Sequence, residues 1–111
     1  PEYFNHGKRP LNIIHTRLRH SCSSLNADLF KCNLSTDLSC VCNAPCENVF
    51  HYFLECPMYA NLRTSLYNSI LATGIQPSLS VILFGCANSS LQINCSIFTA
   101  VHKYISDSKR F

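Results

Sequence analysis

Apolar positions recur along the chain at helical intervals. Leu11, Ile14, Leu18, Cys22, Leu25 and Leu29 follow one another at steps of three or four residues. That spacing predicts an amphipathic helix beginning near Pro10, which is suited to a first helical turn. Arg17, Arg19 and Lys31 fall off this stripe and are expected to face solvent. The Ser21–Ser24 stretch offers hydroxyls that compete for backbone partners, so two helices are predicted, roughly 11–20 and 23–31. Tyr59, Leu62, Leu66 and Ile70 make a second stripe, which Gly74 is placed to stop. Ile93, Ile97, Val101 and Ile105, with Phe98 beside them, make a third over about 90–107. Lys103, Lys109 and Arg110 near its end suit a helix C-terminus. Residues 79–84 are read as a short buried helix, although their pattern also fits a strand. Residues 1–10 read as an irregular lead-in, and residues 11–111 as one all-α helical domain.

Between the first and second stripes the periodicity lapses. The stretch from Lys31 to Glu47 is rich in Asn, Ser, Asp and Pro, which marks a loop. A helix is expected from about Asn48, carrying Val49, Phe50, Phe53 and Leu54 inward.

Cysteine usage gives this loop its chemistry. The chain has eight cysteines, and four of them (Cys40, Cys42, Cys46 and Cys56) crowd around His51. The other four are scattered through apolar patterns, where cysteine usually serves as a small buried hydrophobe. Cys40-x-Cys42, then His51 and Cys56, supply three thiols and an imidazole, the donor types that Zn2+ takes at tetrahedral angles. Cys46 is an alternative ligand in place of Cys40 or Cys42. His51 and Cys56 are five residues apart, about 140° around an unbroken α-helix. They can meet at one ion only if the helix loosens before Pro57, a residue that disfavours helical dihedrals in its predecessor. Four protein ligands make a closed, structural site, and no H-E-x-x-H or H-x-E arrangement accompanies it. The alternative is a secreted domain held by disulfides, in which the N-x-Ser sequons at Asn33, Asn88 and Asn94 would take on meaning.

Composition narrows the classes further. Hydrophobic residues make up 47% of the 111, which excludes a disordered tail. Charge is sparse, with nine Lys and Arg against six Asp and Glu, so part of the surface is expected to be covered by a larger parent chain. The chain starts with Pro and not Met, so a fragment is one reading of it and a self-standing protein the other. No apolar run is long enough for a membrane span. The net charge of +3 lies in residues 1–31, where five basic residues face two acidic ones. Lys8, Arg9, Arg17, Arg19, His20 and Lys31 are therefore candidates for contact with RNA or DNA phosphates, and Tyr3 and Phe4 for stacking on unpaired bases. His15, His20 and His102 otherwise read as helix-face residues. No nucleotide-binding loop, catalytic triad or paired-carboxylate site stands out, so neither an enzyme nor a small-molecule substrate is expected.

These residues also carry a resemblance. The segment HTRLRHSCSSLNADLF (His15 to Phe30) resembles the helix that precedes a cysteine-histidine motif near the C-terminus of non-LTR (LINE-like) retrotransposon polyproteins. Cys40-x-Cys42, followed by HYFLECPMY (His51 to Tyr59) and Arg63, is similar to the zinc-binding segment of that family. The match covers about residues 7–63, and Lys109-Arg110-Phe111 is loosely similar to the end of some such reading frames. Cys46 departs from the pattern. The resemblance implies a zinc-finger-like domain downstream of a reverse transcriptase, with Cys40, Cys42, His51 and Cys56 as ligands. It also implies an intracellular (nuclear or cytoplasmic) module that grips template RNA or target DNA. A domain that docks on the polymerase or self-associates is the alternative.

Overall fold

The computed structural model describes residues 1–111 and contains helices without strands. Five α-helices follow in order: α1 Arg9–Arg19, α2 Asn26–Lys31, α3 Ala60–Ala72, α4 Leu79–Phe84 and α5 Leu91–Ser108. The ambiguous segment at 79–84 is thus helical. Ser78 caps α4 by accepting a hydrogen bond from the Val81 amide, and Ser90 caps α5 by accepting one from Ile93. Each satisfies a donor left open by the first helical turn.

The core forms where α5 packs on α3 along one side and on α1 and α4 along another. Ile97, Phe98, Val101, Tyr104 and Ile105 of α5 meet Leu66 and Ile70 of α3, Leu18 of α1 and Ile82 of α4, and all are buried. The third predicted stripe therefore holds, except that Ile93 at its start is only half-buried. Gly74, with a φ of 87°, follows the end of α3.

The first helix breaks where the serines lie. Ser21 has a φ of 55°, and the buried Asp28 carboxylate accepts hydrogen bonds from the Ser23 amide (3.1 Å) and hydroxyl (2.6 Å). The turn is therefore pinned by α2 itself.

The lead-in differs from its expected form. Glu2–Asn5 make a 3-10 turn, α1 starts at Arg9, and Tyr3 is buried with its ring 5.4 Å from that of Phe98. Burial of an aromatic ring orders this segment, so it belongs to the domain. Tyr3 is consequently closed to stacking on a base.

The inward face of α1 is also rotated from the apolar stripe. His15, Leu18 and Arg19 are buried, whereas Ile14 is only half-buried. His15 Nε2 lies 2.8 Å from the Ile82 carbonyl, and its Nδ1 lies 3.1 Å from His102 Nε2. Donation to the carbonyl from Nε2–H leaves Nδ1 to accept from His102, so the His15 ring is neutral. Burial holds His15 down to about 3 and His102 to about 4. These two histidines do lie on helix faces, but the faces are inward ones: they form a buried pair that joins α1 to α4 and α5.

Candidate metal site

Residues 38–47 fold into a tight loop. The Glu47 amide donates to the Leu38 carbonyl (2.7 Å), the Cys40 amide to Ala44 (2.9 Å) and the Asn43 amide to Cys40 (2.9 Å). Asn43 supplies the reversal with a φ of 76°. This knuckle turns Cys40 and Cys42 toward the same side.

The opposing pair comes from a π-helical turn over His51–Glu55. Asn48 accepts from the His51 amide at 2.8 Å and so opens the turn. Its closing bond runs from the Cys56 amide to the His51 carbonyl at 2.8 Å, an i to i+5 link. The wider turn brings residues five apart nearly into line, which removes the angular misfit of an α-helix. Cys56 itself is extended, with a ψ of 121°, as its position before Pro57 requires. Arg63 donates to the Phe53 and Cys56 carbonyls and so braces the irregular turn, the Cys56 carbonyl accepting from the Tyr59 amide as well. The helix expected from Asn48 is thus mostly this turn, and Phe50 points outward, 47% exposed.

One ligand atom from each of Cys40, Cys42, His51 and Cys56 lies within 4.8 Å of all the others. The Cys40 and Cys56 sulfurs are 3.8 Å apart, and the Cys42 sulfur is 3.3 Å from His51 Nε2. A tetrahedral ion with sulfur at about 2.3 Å and nitrogen at about 2.0 Å sets edges of roughly 3.8 Å between sulfurs and roughly 3.5 Å between sulfur and nitrogen. These two edges are close to those figures and the remaining ones stay within 4.8 Å, so the four residues could hold one metal ion. Cys46 stands outside the cluster, which removes it as the alternative ligand. All eight cysteines are unpaired in the fold.

The surroundings suit thiolate ligands. Burial pushes the Cys40 thiol up to about 12, against the pull of the Cys42 amide. Burial likewise raises Cys56, opposed by the amide of Met58. Cys42, at the rim, is lowered by the amide of Ala44. Two of the three sulfurs therefore stay protonated unless a cation replaces the proton, so metal uptake releases protons here. The other His51 nitrogen, Nδ1, faces Glu55 at 3.7 Å, beyond hydrogen-bond distance, while Nε2 is turned to the Cys42 sulfur.

A second charged pair lies just behind the site. Glu47 is 3% exposed, and one of its oxygens lies 3.9 Å from the Cys40 sulfur. Burial works to raise its carboxyl. The Arg110 guanidinium, bonding through Nε (2.8 Å) and Nη2 (2.6 Å), and the Asn26 amide (2.9 Å) outweigh that effect and hold it below its ordinary value. Arg110 was expected only to suit a helix end. It instead ties the end of the chain to the metal loop and balances charge beside the thiols. No sequence signal links positions 47 and 110.

The candidate nucleic-acid residues divide. Lys8, Arg9, Arg17, His20 and Lys31 are exposed. Arg19 is not, and this corrects its assignment. Its Nε donates to the Leu83 carbonyl at 2.6 Å, and its guanidinium lies 4.0 Å from the centre of the Phe4 ring. That contact also occupies one face of Phe4. Arg19 Nη2 is buried without a partner.

Comparison with protein-family models, with curated proteins and with solved structures finds no match. No helix is long and apolar enough to cross a membrane.

Proposed function

We propose that the chain is a non-enzymatic, Zn2+-stapled module that binds nucleic acid. The three-thiol, one-imidazole donor set favours zinc over hard cations, which prefer oxygen. Four protein donors leave no position open for a substrate. The zinc anchors the Cys40–Cys42 knuckle to the His51–Cys56 turn and contributes folding energy directly.

The observation that carries the binding reading is the set of exposed cations without ion pairs in the first third of the chain. Arg9, Thr16 and His20 recur at helical spacing on the outer side of α1, with Arg17 beside them. None of Lys8, Arg9, Arg17 or Lys31 forms an ion pair, whereas three carboxylates elsewhere are engaged. Unopposed cations at this density suit a phosphate backbone, RNA or DNA, held with little base readout. The resemblance to retrotransposon polyproteins supports the same reading. On that resemblance we propose an intracellular setting, beside a reverse transcriptase domain.

Fluorescence anisotropy of the zinc-loaded chain against structured RNA, single-stranded DNA and duplex DNA tests this. Binding at micromolar or lower concentration that weakens steeply with salt is expected, and Arg17→Gln reduces it. Arg19→Gln lowers stability but leaves the affinity of the folded protein unchanged. A folded, zinc-loaded sample that binds none of the three refutes the reading.

A second reading rests on a different observation. Val41 (77% exposed), Phe50 and Met58 (55% exposed) flank the ligands in sequence and leave apolar surface beside the site. A module that docks on a polymerase or on its own copy would use this patch. Self-association insensitive to salt favours that alternative.

A further inference from the structure

A cleft of about 430 Å³ opens between α1, the turn after it and α2. Ile14 and Arg17 line it from α1, Ser23 and Ser24 from the turn, Leu29 from α2, and Phe111 from the end of the chain. The volume lies in the range of small-ligand pockets and is too small for a folded partner.

Its chemistry is one-sided. Ile14, Leu29 and the Phe111 ring give apolar walls, and Arg17 supplies an exposed cation that no carboxylate pairs. No carboxylate side chain lines it, and two acidic groups of the neighbouring segments are engaged elsewhere. Asp28 is buried and bonded to Ser23, and Glu47 is buried and bonded to Arg110. The complementary ligand carries an anion next to a flat, apolar ring. A phosphate-linked nucleobase meets that description, provided that its face is free. Duplex bases hide their faces in the stack, whereas an unpaired strand exposes them.

We infer that this cleft seats one unpaired nucleotide of a single strand, its base against Phe111 and its phosphate on Arg17. The inference rests on the nucleic-acid reading above and narrows it to single strands. Phe111 is placed for this role by the metal segment. Its ring lies 5.3 Å from that of Tyr52, which follows the ligand His51, and its neighbour Arg110 is held by Glu47 and the Ser24 carbonyl.

The chain has no Trp, so Phe111→Trp adds a single reporter that keeps an aromatic wall. In the zinc-loaded variant, a uridine decamer quenches tryptophan emission saturably, and a blunt duplex of equal length does not. Arg17→Gln and Phe111→Ala each weaken decamer binding by about tenfold, the scale of one lost stacking or phosphate contact. Lys103→Gln leaves it unchanged. Circular dichroism and zinc content verify that each variant is folded. Decamer binding without quenching, or wild-type affinity in both Arg17→Gln and Phe111→Ala, overturns the cleft assignment while the nucleic-acid reading stands. Uridine monophosphate that binds as tightly as the decamer overturns the strand assignment in favour of a free-nucleotide site. No binding of any nucleic acid by the wild-type chain defeats both.

Discussion

Lowering the pH should destabilise the fold through the buried histidine pair, by an amount that the geometry sets. His15 is fully buried and is held at about 3, below the ordinary 6.5, chiefly by that burial. Its neutral form alone can both donate to Ile82 and accept from His102. In the unfolded chain the same ring takes up a proton near pH 6.5. Because the folded value is depressed, the unfolded state binds the extra proton, and stability falls as pH drops below 6.5 toward the folded value. At pH 5 the gap is about 1.5 pH units, worth about 2 kcal/mol at roughly 1.36 kcal/mol each. His102 adds to the loss in the same direction. Metal ligands also lose their ion in acid, so the comparison that isolates His15 is with His15→Gln. A glutamine there can donate its amide to Ile82 and accept from His102 without titrating. Urea unfolding of both zinc-loaded proteins at pH 7 and pH 5 gives the test. The wild type should lose about 2 kcal/mol more than the variant over that interval. Equal losses in the two proteins would refute the neutral-pair reasoning.

Other perturbations probe the supports of the metal site. Arg110→Ala leaves the Glu47 carboxylate buried and unpaired beside Cys40, and should cost about 3 kcal/mol in urea unfolding. Cys46→Ala should retain full metal stoichiometry in a chromogenic chelator titration, whereas Cys40→Ser and Cys56→Ser should release metal at far lower chelator concentration. Gly85→Ala should lower stability by more than about 1 kcal/mol in thermal melts. It sets a Cβ 2.5 Å from Asn94 Oδ1 at a φ of 74°, and Asn94 bonds both the amide and the carbonyl of Cys86.

What the sequence could reveal depended on whether a residue's role was local. The stripes of α3 and α5 were legible because apolar side chains at steps of three and four have one reading, burial on a helix face. The ligand set was legible for a different reason. Thiols and an imidazole crowded into seventeen residues have little to do except meet. Even the difficulty was informative, because the five-residue gap between His51 and Cys56 required a loosened helix, and the π turn provides it. His15 and Arg19 escaped because an apolar-only pattern cannot see polar residues on an inward face. They lie one turn apart beside Leu18, and their partners come from residues 82, 83 and 102. Nothing local distinguishes Arg19, which is buried against Phe4, from Arg17, which reaches solvent two residues earlier. The Glu47–Arg110 pair escaped for the same reason, since its partners are 63 positions apart. Position 46 was ambiguous by spacing alone, and the direction of the knuckle settled it.

The central claim is that one metal ion staples the 38–47 loop to the His51–Cys56 turn. Native mass spectrometry of the purified chain, paired with elemental analysis and a melt in the presence of a strong chelator, tests it most directly. The account predicts one zinc per chain and loss of cooperative unfolding once the metal is stripped. A metal-free chain that folds cooperatively, and whose melting is unmoved by added zinc or chelator, would contradict it.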